Sequence, residues 1–244
     1  MTEFPDVRFP IGDVVEKFVD FLAANFDAFF DFIFIISSSM IKGLEAGLLA
    51  IPWWLFIVII FLIGWYFNNI YGGLLYGAFI FLIGSFDLWP ETMTTISIVL
   101  ISVILSLVIG IPLGVGMAFS KSMSRIMRPI LDAMQTMPSF VYLIPVIFFF
   151  PLGNVPAVIA TIIYALPPVI RLTELGIRSV DKEIVESAQS FGSSSSQMLM
   201  KVQLPQALPT IMAGINQTTM MALAMAVVGS MVGAQGLGER VLFA

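Results

Sequence analysis

The sequence predicts an all-α protein, a polytopic transmembrane helical bundle with an N-terminal amphipathic helix and a polar cytoplasmic loop. Three observations predict it. Hydrophobic residues make up 59% of the 244 residues and charged ones only 11%, against about 45–50% and about 25% in soluble domains; mean hydropathy is +1.00. Apolar runs near the roughly 20-residue length that crosses a bilayer recur along the chain. The stretch "ESAQSFGSSSSQMLMKVQLP", Glu186 to Pro205, interrupts them with residues suited to water.

Composition also removes classes of function. A net charge of −5, with no cluster of Lys and Arg, argues against a nucleic-acid partner, whose phosphates demand one. Cysteine and histidine are both absent, so disulfides, thiol nucleophiles, imidazole bases and His or Cys metal sites are not expected.

In chain order, "MTEFPDVRFP" lacks the basic start and short apolar core of a signal peptide and is expected to belong to the mature protein. From Asp13 to Asp31, acids and Lys17 recur at helical steps among phenylalanines, which predicts an amphipathic helix. Charge on nearly every turn makes it a poor span, so residues 1–50 are expected as an extracytoplasmic, interfacial segment. Residues 51–244 form the membrane domain. Its spans are expected at about 51–67, 70–86, 94–119, 130–151, 155–172 and 210–233. Trp53, Trp54, Trp65 and Tyr66 bracket the first as interfacial anchors. Gly73/Gly77, Gly110/Gly114 and Gly229/Gly233 have the spacing that lets helices approach closely.

Basic residues set the orientation. "SKSMSRIMRP" carries Lys121, Arg125 and Arg128 without an acid and is expected in the cytoplasm, whereas "FDLWPETM" carries only acids and is expected outside. Counting backwards places the N-terminus outside, where three basic residues face eight acidic ones among the first 50.

A cytoplasmic loop of about 173–209 then joins the last two spans. Glu174, Arg178, Asp181, Lys182, Glu183 and Glu186 alternate in sign, the pattern of a solvated helix. Gly192 suits the left-handed end of a helix, and Ser194 with Gln197 has the capping-box spacing that starts the next. Pro205 is expected to end that second helix. The reading is a helix-turn-helix knob.

Glu186-Ser187-Ala188, three residues, Gly192, nine residues, Val202, one residue, then Leu204-Pro205 resembles the EAA loop of ABC-importer permeases. Ser187 for Ala and Val202 for Ile are its two departures. The stretches from Gln135 to Gly192 and from Met221 to Leu242 resemble the glycine betaine, proline betaine, carnitine and choline branch. That resemblance implies a type I ABC importer permease in a bacterial cell membrane. Glu186, Ser187, Ala188, Gly192, Val202, Leu204 and Pro205 would couple it to a partner. It implies partners too: two ATPase subunits holding ATP and Mg, a substrate-binding protein, a second copy of the chain, and the bilayer. Such permeases usually continue past "GLGER" with a further span, and this chain stops at Ala244. The chain has no G-x4-G-K-[ST] loop, so it is expected to be no enzyme and to carry no cofactor.

Polar residues inside spans mark cavities or helix contacts. Gln135, Thr136, Met137, Pro138 and Ser139 form one such cluster, with a proline that breaks its helix; Asn216, Gln217, Thr218, Thr219 and Met220 form another. Both are candidates for the translocation path, and interhelical hydrogen bonding accounts for them equally well. Phe140 and Tyr142 are the aromatics nearest the first cluster, and their spacing alone does not make a cation cage. Two other readings compete with this one. An ion-coupled secondary transporter needs an intramembrane carboxylate pair, and Asp132 stands alone in sequence; a membrane enzyme needs a paired nucleophile and base, which is not found.

Overall fold

The computed structural model describes residues 11–244, and their regular structure is helical throughout. The N-terminal decapeptide lies outside them.

The amphipathic helix expected over 13–31 is divided. α1 (Ile11–Asn25) stops at Phe26, which leaves helical geometry, and α2 (Asp27–Leu49) restarts with an acid in its first turn, where the helix dipole favours one. After Asp31 no charge occurs until Lys42, so α2 is long and apolar enough to cross a membrane. The sequence reading assigned Asp27 and Asp31 to the preceding helix and so missed this element. α2 packs on the bundle through Phe30, stacked 4.5 Å from Phe149, and through buried Ile41. Near its end Thr94 donates a 2.5 Å hydrogen bond to Glu45.

α3 (Trp53–Phe67) and α4 (Ile70–Ser85) form a hairpin. Asn69 caps α4 by accepting from the Gly72 amide at 2.8 Å. Both helices are apolar all round, and Trp53, Trp54, Trp65 and Tyr66 are exposed, as a lipid-facing pair requires.

Three long helices make the core: α5 (Trp89–Phe119), α8 (Asn154–Arg178) and α11 (Leu204–Gly229). α5 and α8 run in parallel. A side chain at Gly110 would meet Val169, and one at Gly114 would meet the Ile170 carbonyl and Thr173, so the expected glycine pair brings these backbones together. α11 returns antiparallel, with Gly214 against Val169 and Leu172 and Gly229 against Ala157. Buried Ser97, Ser102 and Thr161 satisfy their hydroxyls on carbonyls one turn back in their own helices.

Because α5 and α8 are parallel, the chain between them must cross back. It does so as α6 (Lys121–Thr136) and α7 (Phe140–Phe149), which meet at 102°. Pro138 supplies no amide to continue the helix, and Met137 before it takes the extended conformation that a following proline favours. The fourth expected span is therefore a bent pair. At the same end as the α5 N-terminus, α12 (Leu237–Phe243) folds back over α5. Leu237 N–H donates to Thr95 Oγ1 at 2.8 Å and Arg240 Nε to Glu91 at 2.9 Å. The hydrogen bonds to Glu91 raise the Arg240 pKa above its ordinary value.

Candidate functional site

The polar loop folds as a knob at the end of the bundle where α5 and α8 finish. α8 continues to Arg178, more than one and a half turns beyond the expected end of its span at residue 172. Asp181 caps α9 (Lys182–Ser190) by accepting from the Glu183 amide at 2.9 Å. Gly192 ends it at φ +79. Ser193 N–H donates to the Ala188 carbonyl at 3.2 Å and Gly192 N–H to Gln189 at 2.9 Å, the two bonds of a Schellman motif. α10 (Ser195–Met198) then opens with both halves of the Ser194/Gln197 capping box. Both local signals are realised.

Pro205 does something different from what its position suggests. The helix does not end there: α10 passes through a π-helical turn, Leu199–Gln203, directly into α11. Leu204 N–H reaches back five residues to the Leu199 carbonyl, and Pro205 follows at once in the first turn of α11, so the helix runs on past a residue that has no N–H to donate. The knob is thus continuous with the last long helix. Leu204 and Leu199 pack with Ile177, Ala207 and Ile211, a small core joining the knob to α8 and α11; Val202 is half-buried beside them.

α9 is two-faced. Val185, Glu186 and Gln189 line an open groove whose other wall is formed by Ala118, Phe119 and Ile177 at the ends of α5 and α8, while α9 itself packs on α10 and the π turn that follows. Ile184, Ser187, Ala188 and Phe191 line the outer face at the i, i+3, i+4, i+7 spacing of one helix side. Phe191 is 88% exposed. This aromatic was not singled out in sequence, although its place in the stripe beginning at Ile184 carried the signal. Replacing Phe191 with aspartate should cost any partner seated on this face about 2–4 kcal/mol, a usual value for a central aromatic anchor. Affinity of the detergent-solubilised chain for its partner measures that loss, and unchanged affinity would place the docking surface elsewhere.

Behind the knob, Glu174 is 4% exposed and not part of a solvated helix, as its alternating charges had suggested. Its Oε1 accepts from Ser124 Oγ at 2.7 Å and Arg128 Nη2 at 3.0 Å, and lies 3.1 Å from Arg178 Nε. Such a cluster of donors keeps a buried carboxylate satisfied. Asp132, isolated in sequence, pairs with Arg171.

Of the first polar cluster, Gln135, Thr136, Met137 and Pro138 are exposed and Ser139 is half-buried. Asn216, Gln217 and Met220 are exposed and Thr219 half-buried. Thr136 and Thr219 bond to carbonyls of their own helices, Ala133 and Ile215. Thr218 is buried and donates to the Ala165 carbonyl of α8 at 3.0 Å, so its hydroxyl serves the α8–α11 contact. Tyr142 is also buried, with its hydroxyl on the Met134 carbonyl and its ring near Tyr164, which parts it from exposed Phe140. No hydrogen bond joins the two clusters among the described residues. Both lie on helices that pack on α8.

Comparison with known proteins agrees with this architecture. A family described as "Binding-protein-dependent transport system inner membrane component" matches residues 106–244. The glycine betaine transport system permease protein OpuAB of Bacillus subtilis is 44% identical over 96% of this chain and 83% of its own length. The glycine betaine/carnitine transport permease protein GbuB of Listeria monocytogenes is 46% identical, covering 96% and 84%. The glycine betaine/proline betaine permease ProW of Escherichia coli is 42% identical, covering 98% and 68%. Among solved structures, the inward-facing MetNI methionine ABC transporter aligns with a TM-score of 0.54 at 24% identity, over 59% of this chain and 74% of that one, a likeness of fold. The matched family region begins inside α5 and takes in the bent pair, α8, the whole knob and α11, and the chain accordingly belongs to the binding-protein-dependent transport system inner membrane components.

Proposed function

We propose that the chain is the membrane permease subunit of an ATP-binding cassette importer for quaternary-ammonium osmolytes of the glycine betaine type. The observation that carries this reading is the knob. Glu186, Ser187, Ala188 and Gly192 belong to a capped helix and its turn, whose outer face carries Ile184, Ser187, Ala188 and Phe191 beside the acids Asp181 and Glu183, and whose other side lines a groove with the ends of α5 and α8. A groove on an ATPase subunit is the partner that such a convex helix fits. Glu186 is exposed and available to a basic partner residue. The substrate class follows from the names of the relatives.

Two copies of the chain and two ATPases complete the unit, with ATP and Mg held by the ATPases and substrate delivered by a binding protein outside. ATP-driven closure of the ATPase pair moves both knobs together and turns the bundle from inward- to outward-open; hydrolysis resets it. The N-terminus lies outside the cell in this arrangement, which requires α2 to lie against the bundle rather than cross the membrane. The exposed Gln135, Asn216 and Gln217 sit within helices of the membrane domain, where facing lipid is costly. A water-filled path between two copies satisfies them. Thr218 stays out of that path because it serves the helix contact.

The test is uptake into sealed vesicles carrying the chain, the ATPase and the binding protein. Uptake of glycine betaine should require ATP on the ATPase side and exceed that of methionine, while the chain alone should hydrolyse no ATP. Uptake driven by a sodium or proton gradient without ATP would replace this reading with a secondary transporter. Preference for methionine would move the substrate to amino acids.

A further inference from the structure

We propose that a polar ladder between α6 and α8 is the linkage through which the knob moves the bent pair, with Glu174 as its positioning residue; this rests on the coupling reading above. On α6, Ser124, Arg128 and Asp132 recur every four residues and so stand in one column. Facing them on α8 are Arg171, Glu174 and Arg178, at steps of three and four. The columns interlock. Arg171 donates to Asp132, Ser124 and Arg128 donate to Glu174, and Arg178 lies on the same Glu174 oxygen. Arg178 Nη2 also donates to the Met117 carbonyl at 2.8 Å, which brings in the end of α5.

A charge buried as deeply as Glu174 is costly, and apolar side chains of similar size would hold two helices together at least as well. What the carboxylate adds is register. Two donors of α6 and one of α8 converge on a single oxygen, whereas an apolar seam lets helices slide. Leu131, one position before Asp132, is buried against Met117 and Ile170 and adds an apolar contact between α6 and the α5 and α8 helices.

Position gives the ladder its role. Glu186 and Gln189 of α9 line the same open groove as Arg178 and Phe119, so a displacement of the knob that narrows this groove brings α9 onto Arg178 and the end of α5. Through Glu174 the displacement reaches α6, and α6 ends at the 102° break before α7. Rigid elements with a defined hinge transmit motion in this way. α6 and α8 therefore move as one body through the transport cycle, and the change in shape is taken up at Met137–Ser139, beside the first polar cluster.

Two measurements on the complete transporter test this. The sequence contains no cysteine, so Asp132→Cys with Arg171→Cys puts one thiol on each helix in place of that ion pair, and a short cleavable bifunctional reagent joins them. A fixed α6–α8 body predicts that ATP-driven uptake survives the link. Uptake lost on linking and regained on cleavage would show that the helices slide past one another, and would overturn the proposal.

Glu174→Gln keeps the shape and an acceptor but removes the charge. Substrate moved per ATP hydrolysed should fall about tenfold, within the usual range for coupling between linked sites, with Glu174→Asp intermediate. A purely structural role would lower the amount of assembled transporter and both activities together, leaving that ratio unchanged. A wild type without ATP-dependent uptake would fail the coupling reading itself; a coupled wild type with an equally coupled Glu174→Gln variant would fail the ladder alone.

Discussion

Replacing Gly192 with proline should uncouple ATP hydrolysis from uptake while leaving the chain inserted in the membrane. Gly192 adopts φ +79, and the proline ring holds φ near about −65°. Its amide also donates to Gln189 at 2.9 Å, a bond that proline cannot make. With the Schellman turn lost, α9 no longer reverses into the capping box at Ser194, and the exposed stripe ending in Phe191 loses its angle to the bundle. None of the long helices contains this residue, so insertion and detergent stability are expected to hold. A second substitution separates backbone from bulk. Nothing lies within 4 Å of a side-chain carbon built on Gly192, so Gly192→Ala meets only the left-handed penalty of about 1–2 kcal/mol. Uptake per ATP should drop about 5- to 150-fold in the proline variant, the span of allosteric couplings, and less in the alanine variant. Normal uptake with proline at this position would remove the knob from the coupling path.

Gly114→Val should do the opposite, unfolding the bundle rather than uncoupling it. A β-carbon at Gly114 would lie 2.6 Å from the Ile170 carbonyl oxygen and 2.6 Å from Thr173 Cβ. The first of these is backbone and cannot rotate away. Valine must therefore force α5 from α8 along the contact that also positions Arg178 over Met117. Overpacking of this kind costs about 1–3 kcal/mol or more, and here it is applied to the central helix pair. A large drop in the thermal midpoint of the detergent-solubilised chain is expected, with loss of monodisperse protein on size exclusion. Gly43→Ala, on α2 with nothing within 4 Å, is the control; it should be neutral or slightly stabilising, because alanine favours helix by about 1 kcal/mol over glycine. An unaltered midpoint for Gly114→Val would show that the two helices are not in close contact.

The parts of the site that were legible in sequence are those made by neighbours along the chain. The Gly192 turn, the Ser194/Gln197 box and the Pro138 break each depend on a few consecutive residues, and each stands where the spacing placed it. Pro205 was misread because the same residue that terminates one helix is also at home in the first turn of another, and only the π turn before it selects between the two. Glu174 was misread for a related reason. Its alternating charges fit a solvated helix, but they also fit a charge surrounded by donors from α6, which lies about fifty residues earlier. α2 was hidden by phase: Asp27 and Asp31 continue the periodicity of α1, and the break at Phe26 has no glycine or proline to announce it.

Composition and local pattern thus settle the solvent in which the chain folds, because a chain with 59% hydrophobic residues and repeated apolar runs, four of them helices long enough to cross a bilayer, cannot bury that surface in itself, and they settle the knob, because caps and turns are local hydrogen-bonding problems. Long-range packing settles which polar groups are consumed inside the bundle. Thr218 bonds to Ala165, Asp132 pairs with Arg171 and Glu174 gathers Ser124 and Arg128, while Gln135, Asn216 and Gln217 stay exposed. A buried polar group must find a partner wherever the fold brings one, and sequence spacing carries no record of a partner on another helix.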